Sequence, residues 1–145
     1  MTQTISRHQE LMDAAYDRWE KNPAWSKKDF WANIGPVELE AVCMGNLNYQ
    51  VENGGFRQWV GNGYCTPETL FIIRRVLVRL GSPTAQQVLD LIDEVARIVE
   101  TYGSEDEMDE YDFEQYVEEM DPLDGRFYQL NKQLMEELEA YFRKQ

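Results

Sequence analysis

Apolar residues recur along this chain at helical spacing, and no stretch shows the period of two expected of a half-buried strand. From Ser6 to about Lys21, Leu11, Met12, Ala15, Tyr16 and Trp19 form one apolar stripe, and Pro23 ends it. A short turn over Asp29 to Ile34 carries Phe30, Trp31 and Ile34. Gly35-Pro36 then opens a long helix holding Ala41, Val42, Met44 and Leu47 and running towards Val51, with the proline suited to the first helical position. Asn53-Gly54-Gly55 breaks or kinks it, Phe56 to Val60 adds a further turn, and Gly61-Asn62-Gly63 is a loop.

Two further helices start with the same signal. Thr66-Pro67-Glu68 reads as N-cap, first position and dipole-favourable acid, ahead of Leu70, Ile73, Val76, Leu77 and Leu80, with Gly81 as the stop. Ser82-Pro83 precedes Ala85, Val88, Leu89, Ile92, Val95, Ala96 and Val99, and Gly103 closes that helix. A short helix capped by Asp112 carries Phe113, Tyr116, Val117 and Met120 on one stripe. Asp121 or Asp124 caps a last helix with Phe127, Leu130, Leu134, Leu138 and Tyr141 on its buried face. About six to seven amphipathic helices without repeats or long linkers predict one all-α domain over residues 1–145.

A chain of 145 residues can bury roughly two thirds of its unfolded surface, and 43% hydrophobic residues supply a core. Its 27 acids against 14 bases leave a net charge of −13, which repels duplex DNA and anionic membranes and favours a basic protein partner. The start, Met1 to Arg7, lacks the apolar stretch of a secretion signal, and Leu70 to Ile73 is far too short to span a bilayer, so the cytoplasm is the expected location. Cys43 and Cys65 are expected to be reduced.

The charge is uneven. Residues 1–72 hold 9 acids and 6 bases, whereas residues 73–145 hold 18 and 8. Between Arg97 and Arg126 there is no base, and within that window 20 residues carry 11 carboxylates: Glu105, Asp106, Glu107, Asp109, Glu110, Asp112, Glu114, Glu118, Glu119, Asp121 and Asp124. As one helix the stretch would span about 30 Å, one charge per about 2.7 Å, against about 1.7 Å of axis in duplex DNA. Acidic runs are commonly plain solvated faces. Against that reading stand the mutual repulsion, unrelieved by any lysine, and the apolar stripe that anchors the segment. Asp90, Asp93, Glu94 and Glu100 extend the acidic set.

Catalytic chemistry finds little material. The only histidine, His8, reads as an exposed helix residue, and no nucleophile elbow or glycine-rich phosphate loop is present. His8, Cys43 and Cys65 lack zinc-site spacing. A calcium loop counted from Glu105 has Glu110 where glycine is needed and Tyr116 where glutamate is needed. No enzyme activity, metal or cofactor is therefore expected.

The most individual segment is Leu47-Asn48-Tyr49-Gln50-Val51-Glu52-Asn53-Gly54-Gly55-Phe56-Arg57-Gln58-Trp59-Val60-Gly61-Asn62-Gly63. Paired glycines permit a positive φ or a close backbone approach; Asn53, Gln58 and Asn62 could satisfy the freed backbone groups, while Phe56 and Trp59 pin the corner into the core. This segment resembles the signature of the bacterial DNA-mimic protein family, small acidic helical proteins with an Asn-Gly-Gly-Phe-x-Gln core. Val51, Asn53, Gly54, Gly55, Phe56, Gln58 and Asn62 keep the wording, and Gln50, Glu52 and Trp59 depart from it. Leu123-Asp124-Gly125-Arg126-Phe127-Tyr128-Gln129-Leu130 also looks like the family's C-terminal pattern, so the resemblance covers about residues 30–145.

The resemblance implies an all-α fold, a homodimer, and carboxylates standing in for phosphates on a DNA-binding protein such as a transcription regulator, nuclease, restriction enzyme or CRISPR effector. The candidate partner-binding residues are Asp90, Asp93, Glu94, Glu105, Asp106, Glu107, Asp109, Glu110, Asp112, Glu114, Glu118, Glu119 and Asp121. The alternative is an adaptor or immunity-type protein that binds its partner through the Phe56/Trp59 corner.

Overall fold

The computed structural model describes residues 5–145; residues 1–4, on which part of the leader reading rests, lie outside them. Six α-helices and one 3-10 turn form among the described residues, with no strand. α1 (Arg7–Glu20) starts where Ser6 accepts the Gln9 N–H, α4 (Pro67–Leu80) where Thr66 accepts that of Thr69, and α5 (Pro83–Tyr102) where Ser82 accepts that of Ala85. Gly81 closes α4 at φ 63°, a left-handed conformation that glycine adopts without a Cβ penalty.

The turn expected over Asp29 to Ile34 is instead a short helix, α2 (Lys27–Ala32). Ser26 and Asp29 close a reciprocal capping box at 3.1 Å each way. α3 (Pro36–Gly61) is kinked at Gly54 and Gly55, both outside helical backbone angles, and resumes to Gly61, in line with the expected break and the extra turn from Phe56.

The largest difference lies at the C-terminal end. The two helices read from the sequence are one, α6 (Glu110–Arg143), capped by Asp109 rather than by Asp112, Asp121 or Asp124. Pro122 lies inside it, although proline removes one helix hydrogen bond and crowds the preceding turn. The buried stripe explains the continuity. Tyr116, Met120, Leu123, Phe127, Leu134 and Leu138 follow one helical face across the proline, so breaking there would expose residues on both sides.

α3 is central, packing against α1, α4 and α6, while α5 packs on α4 and α6. Phe56, Trp59, Ile73, Leu91, Tyr116 and Phe127 are fully buried in the main core. A second cluster, Ala15, Phe30 and Val42 with Tyr16, Trp19 and Trp31 around them, docks α1 and α2.

His8 belongs to this docking and is buried, contrary to the exposed position expected for it. Its Nε2 lies 2.8 Å from the Ala41 carbonyl oxygen and its ring 4.7 Å from that of Phe142. The Glu139 carboxylate receives the Arg7 and His8 N–H groups at 2.8 and 3.0 Å, capping α1 from α6. Cys43 is buried, Cys65 half-buried, and neither is bridged. No described helix is long and apolar enough to cross a membrane.

Candidate functional site

Gly55 takes φ 79° and ψ 179°, which frees the next amide from the helix ladder. The Phe56 N–H donates to Asp124 Oδ1 at 2.8 Å, so a carboxylate from α6 caps the second half of α3. A Cβ at Gly55 would collide with that same carboxylate. Burial pushes the Asp124 carboxyl above its ordinary value, with the Phe56 N–H and Arg57 opposing and Asp121 adding to the rise.

Asn53, Gln58 and Asn62 do not serve the freed backbone, as the sequence suggested. They bond one another through Gln50, whose side-chain oxygen accepts from Gln58 at 2.9 Å and Asn62 at 2.8 Å, while Asn53 donates to Gln58 at 3.2 Å. A Cβ at Gly54 would strike the Gln58 side chain. Phe56 and Trp59 are completely buried, so the corner is a core element and offers no apolar docking surface. That burial overturns the Phe56/Trp59 adaptor reading.

The acidic candidates separate into two groups by their surroundings. Several are held by cations, most of them distant in sequence. Glu105, on the 3-10 turn (Glu105–Glu107), meets Arg57 Nε at 2.9 Å, and the same guanidinium lies 5.1 Å from the Phe113 ring. Arg97 binds both Glu94 at 2.7 Å and Glu119 at 3.1 Å, and the Tyr102 hydroxyl also donates to Glu119. The Arg97 contact holds the Glu94 carboxyl below its ordinary value, and the Tyr102 and Arg97 contacts do the same for Glu119. Asp93 is paired with Arg74 at 2.8 Å. The window without bases in the sequence is therefore not without them in space.

The second group faces solvent. Asp106, Glu107, Asp109, Glu110, Asp112, Glu114, Glu118 and Asp121 are exposed and form no ion pair among the described residues. Asp109 also accepts the Asp112 N–H at 2.7 Å, and acids in this first turn complement the helix dipole. Asp90 is exposed and accepts from Gln86 at 2.9 Å. Asp90, Asp93 and Glu94 lie on α5, while the 105–121 residues lie on the 3-10 turn, α6 and the Asp109 cap.

Within that group Glu110, Glu114, Glu118 and Asp121 stand at i, i+4, i+8 and i+11 of α6. At 100° and 1.5 Å per residue they occupy an arc of about 80° and about 16 Å of axis. One strand of B-DNA places about five phosphates over that length. The opposite face carries buried Tyr116 and Met120, which fix the ridge to the core. Tyr111, 70% exposed, flanks the ridge three residues before Glu114. Phe113 was expected in the anchoring stripe but is 37% exposed, covered on one side by Arg57.

Arg57 and Arg97 are the residues that sequence reasoning overlooks: the Arg97–Glu94 pair is local, but nothing local links Arg57 to Glu105 or Arg97 to Glu119. No cluster of three or more His, Cys, Asp or Glu able to hold a metal ion occurs among the described residues.

Residues 32–145 match the family described as DMP19-like protein. No curated protein and no solved structure matches the chain. With nearly four fifths of its length matched, the chain belongs to the DMP19-like proteins, a family of DNA mimics.

Proposed function

We propose that this protein binds the DNA-contacting surface of a DNA-binding protein and blocks it, with Glu110, Glu114, Glu118 and Asp121 taking the places of successive phosphates. The observation that carries the reading is the ridge itself: four unpaired carboxylates held on one face of a helix whose other face is core. Membership of a DNA-mimic family supports it.

Asp106, Glu107, Asp109 and Asp112 lengthen the acidic surface at the start of the helix, and Tyr111 supplies an aromatic contact beside it. Glu94, Glu105, Glu119 and Asp93 act differently from the sequence expectation. The Arg57–Glu105 and Arg97–Glu119 contacts tie the acidic segment to α3 and α5, while Glu94 shares Arg97 and Asp93 pairs with Arg74 on α4. Asp90, exposed on α5, stays a candidate contact at the edge of the surface. A transcription regulator, nuclease, restriction enzyme or CRISPR effector offers the basic groove that such a surface fits. Encounter is steered by charge and weakens as salt rises. The reading involves no catalytic step and no cofactor.

Duplex DNA competition tests it. Proteins from a low-salt bacterial lysate retained on the immobilised chain should be released both by a salt gradient and by duplex DNA. Retained partners that DNA fails to displace would contradict the proposal.

A further inference from the structure

Ring geometry distinguishes the two clusters of the fold. In the main core the rings meet edge to face, Phe56 with Trp59 at 80°, Phe56 with Phe127 at 76° and Tyr102 with Tyr116 at 71°. In the cluster built by α1 and α2, Tyr16, Trp19 and Phe30 lie nearly parallel, at interplanar angles of 11°, 19° and 23° and centroid separations of 4.2–6.5 Å. In the parallel stack Phe30 is buried by its neighbours, while Tyr16 and Trp19 stay half-buried.

A cleft of about 200 Å³ lies at this stack, lined among others by Tyr16, Phe30, Trp31, Asn46 and Tyr64, with Lys27 at its edge. It adjoins a shallower groove of about 490 Å³ that shares Lys27 and Trp31 and adds Lys28, Thr66 and Glu68. Lys27 Nζ sits 5.7 Å from the Trp31 ring and 5.1 Å from the Tyr64 ring. Neither Lys27 nor Lys28 forms an ion pair among the described residues, in a chain with 27 acids to offer. Two ammonium groups beside an aromatic cleft, answered only by Glu68 in the groove, make a locally cationic mouth on an anionic protein.

We propose that this cleft binds a planar aromatic anion of the mononucleotide class. The ring system enters against the half-buried Tyr16, Trp31 and Tyr64 rings, and the phosphate meets Lys27 and Lys28. Base–aromatic stacking tolerates different bases, so the preference is for a flat ring carrying an anion rather than for one base. Tyr16 and Asn46, hydrogen-bonded to each other at 3.1–3.3 Å, offer polar atoms to the edge of the ring. Tyr16, Lys27, Phe30 and Trp31 precede the family match and Asn46 and Tyr64 fall within it, so the cleft is assembled at the seam between the matched region and the helices added before it. It involves none of the ridge carboxylates and stands or falls independently of the mimic reading.

Tryptophan fluorescence of the full chain, excited beyond adenine absorption, reads the site directly because Trp19 and Trp31 line it. Titration with adenosine 5′-monophosphate should give a saturable change, and adenosine without its phosphate should bind about tenfold more weakly. Lys27→Met should weaken the nucleotide by about tenfold and leave adenosine unchanged, with thermal melting showing that the variant is folded. A change that never saturates, or equal nucleotide binding by the wild type and a folded Lys27→Met variant, overturns the proposal.

Discussion

Arg57 and Glu105 stand 48 positions apart in sequence, yet Arg57 Nε and Glu105 Oε1 are 2.9 Å from each other. Arg57 lies two residues beyond Gly55, so the glycine kink aims it at the acidic segment. The contact ties the turn that precedes α6 to α3, and the same guanidinium covers Phe113. A region that would repel itself as a free chain is thereby fastened at its N-terminal end.

Removing that fastening should loosen the segment without unfolding the protein. Arg57→Met is expected to cost about 1 kcal/mol, since the pair is a third exposed. Hydrogen exchange over residues 104–113 should accelerate while α4 and α5 keep their protection. Unchanged exchange in that window would show that the ion pair does not order it.

The glycine kink rests on Asp124. Asp124→Ala leaves the Phe56 N–H without its acceptor and is expected to cost about 1–3 kcal/mol in urea unfolding. Asp124→Asn should cost less, because the amide oxygen accepts the same bond. The folded carboxyl titrates above its ordinary 3.8, so the folded state holds the proton more tightly than the unfolded chain. Ionisation then opposes folding, and the wild type should lose stability relative to Asp124→Asn as pH rises from 3.8 through the folded value. Gly55→Ala combines a strained φ with a collision and should cost about 2 kcal/mol or more.

His8 gives the opposite slope. Burial lowers its folded pKa below the ordinary 6.5, with the Ala41 bond and Glu139 working against that shift. The unfolded chain therefore binds the proton more readily, and stability falls as pH drops from 6.5 towards the folded value. Unfolding in urea at pH 7.5 and pH 5 should show the wild type losing more than His8→Gln, whose side chain can donate to Ala41 without titrating. Equal losses would mean that His8 takes up its proton as readily in the folded protein as in the unfolded chain.

Local chemistry made most of the helices legible. Thr66-Pro67 and Ser82-Pro83 place their caps and first residues side by side, and the glycines at 81 and 103 end the same helices. Phe56 and Trp59 were readable as core pins. Long-range pairings were hidden. Asp124 reads locally as a helix cap and as one acid in a run, yet it caps a kink 68 residues away. Glu119 looks like free charge because Arg97 is 22 positions away. Asp121 and Asp124 read as caps of a separate last helix because the stripe from Tyr116 to Leu138, taken locally, divides into two patterns instead of one. His8 was assigned to solvent since its partners, Ala41, Glu139 and Phe142, come from two other helices. The ridge itself follows from counting at helical spacing once α6 is continuous.

Position, rather than total charge, is the central claim, and a charge-matched comparison tests it most directly. One variant neutralises Glu110, Glu114, Glu118 and Asp121 to Gln and Asn; a second neutralises Asp13, Glu20, Glu136 and Glu137, which lie off the ridge. Affinity for a DNA-displaceable partner is measured at low salt for both. At about 0.5–1 kcal/mol per contact, the ridge variant should bind roughly 30- to 1,000-fold more weakly, and the second variant should stay within a few-fold of wild type. Equal losses in the two variants would contradict the account.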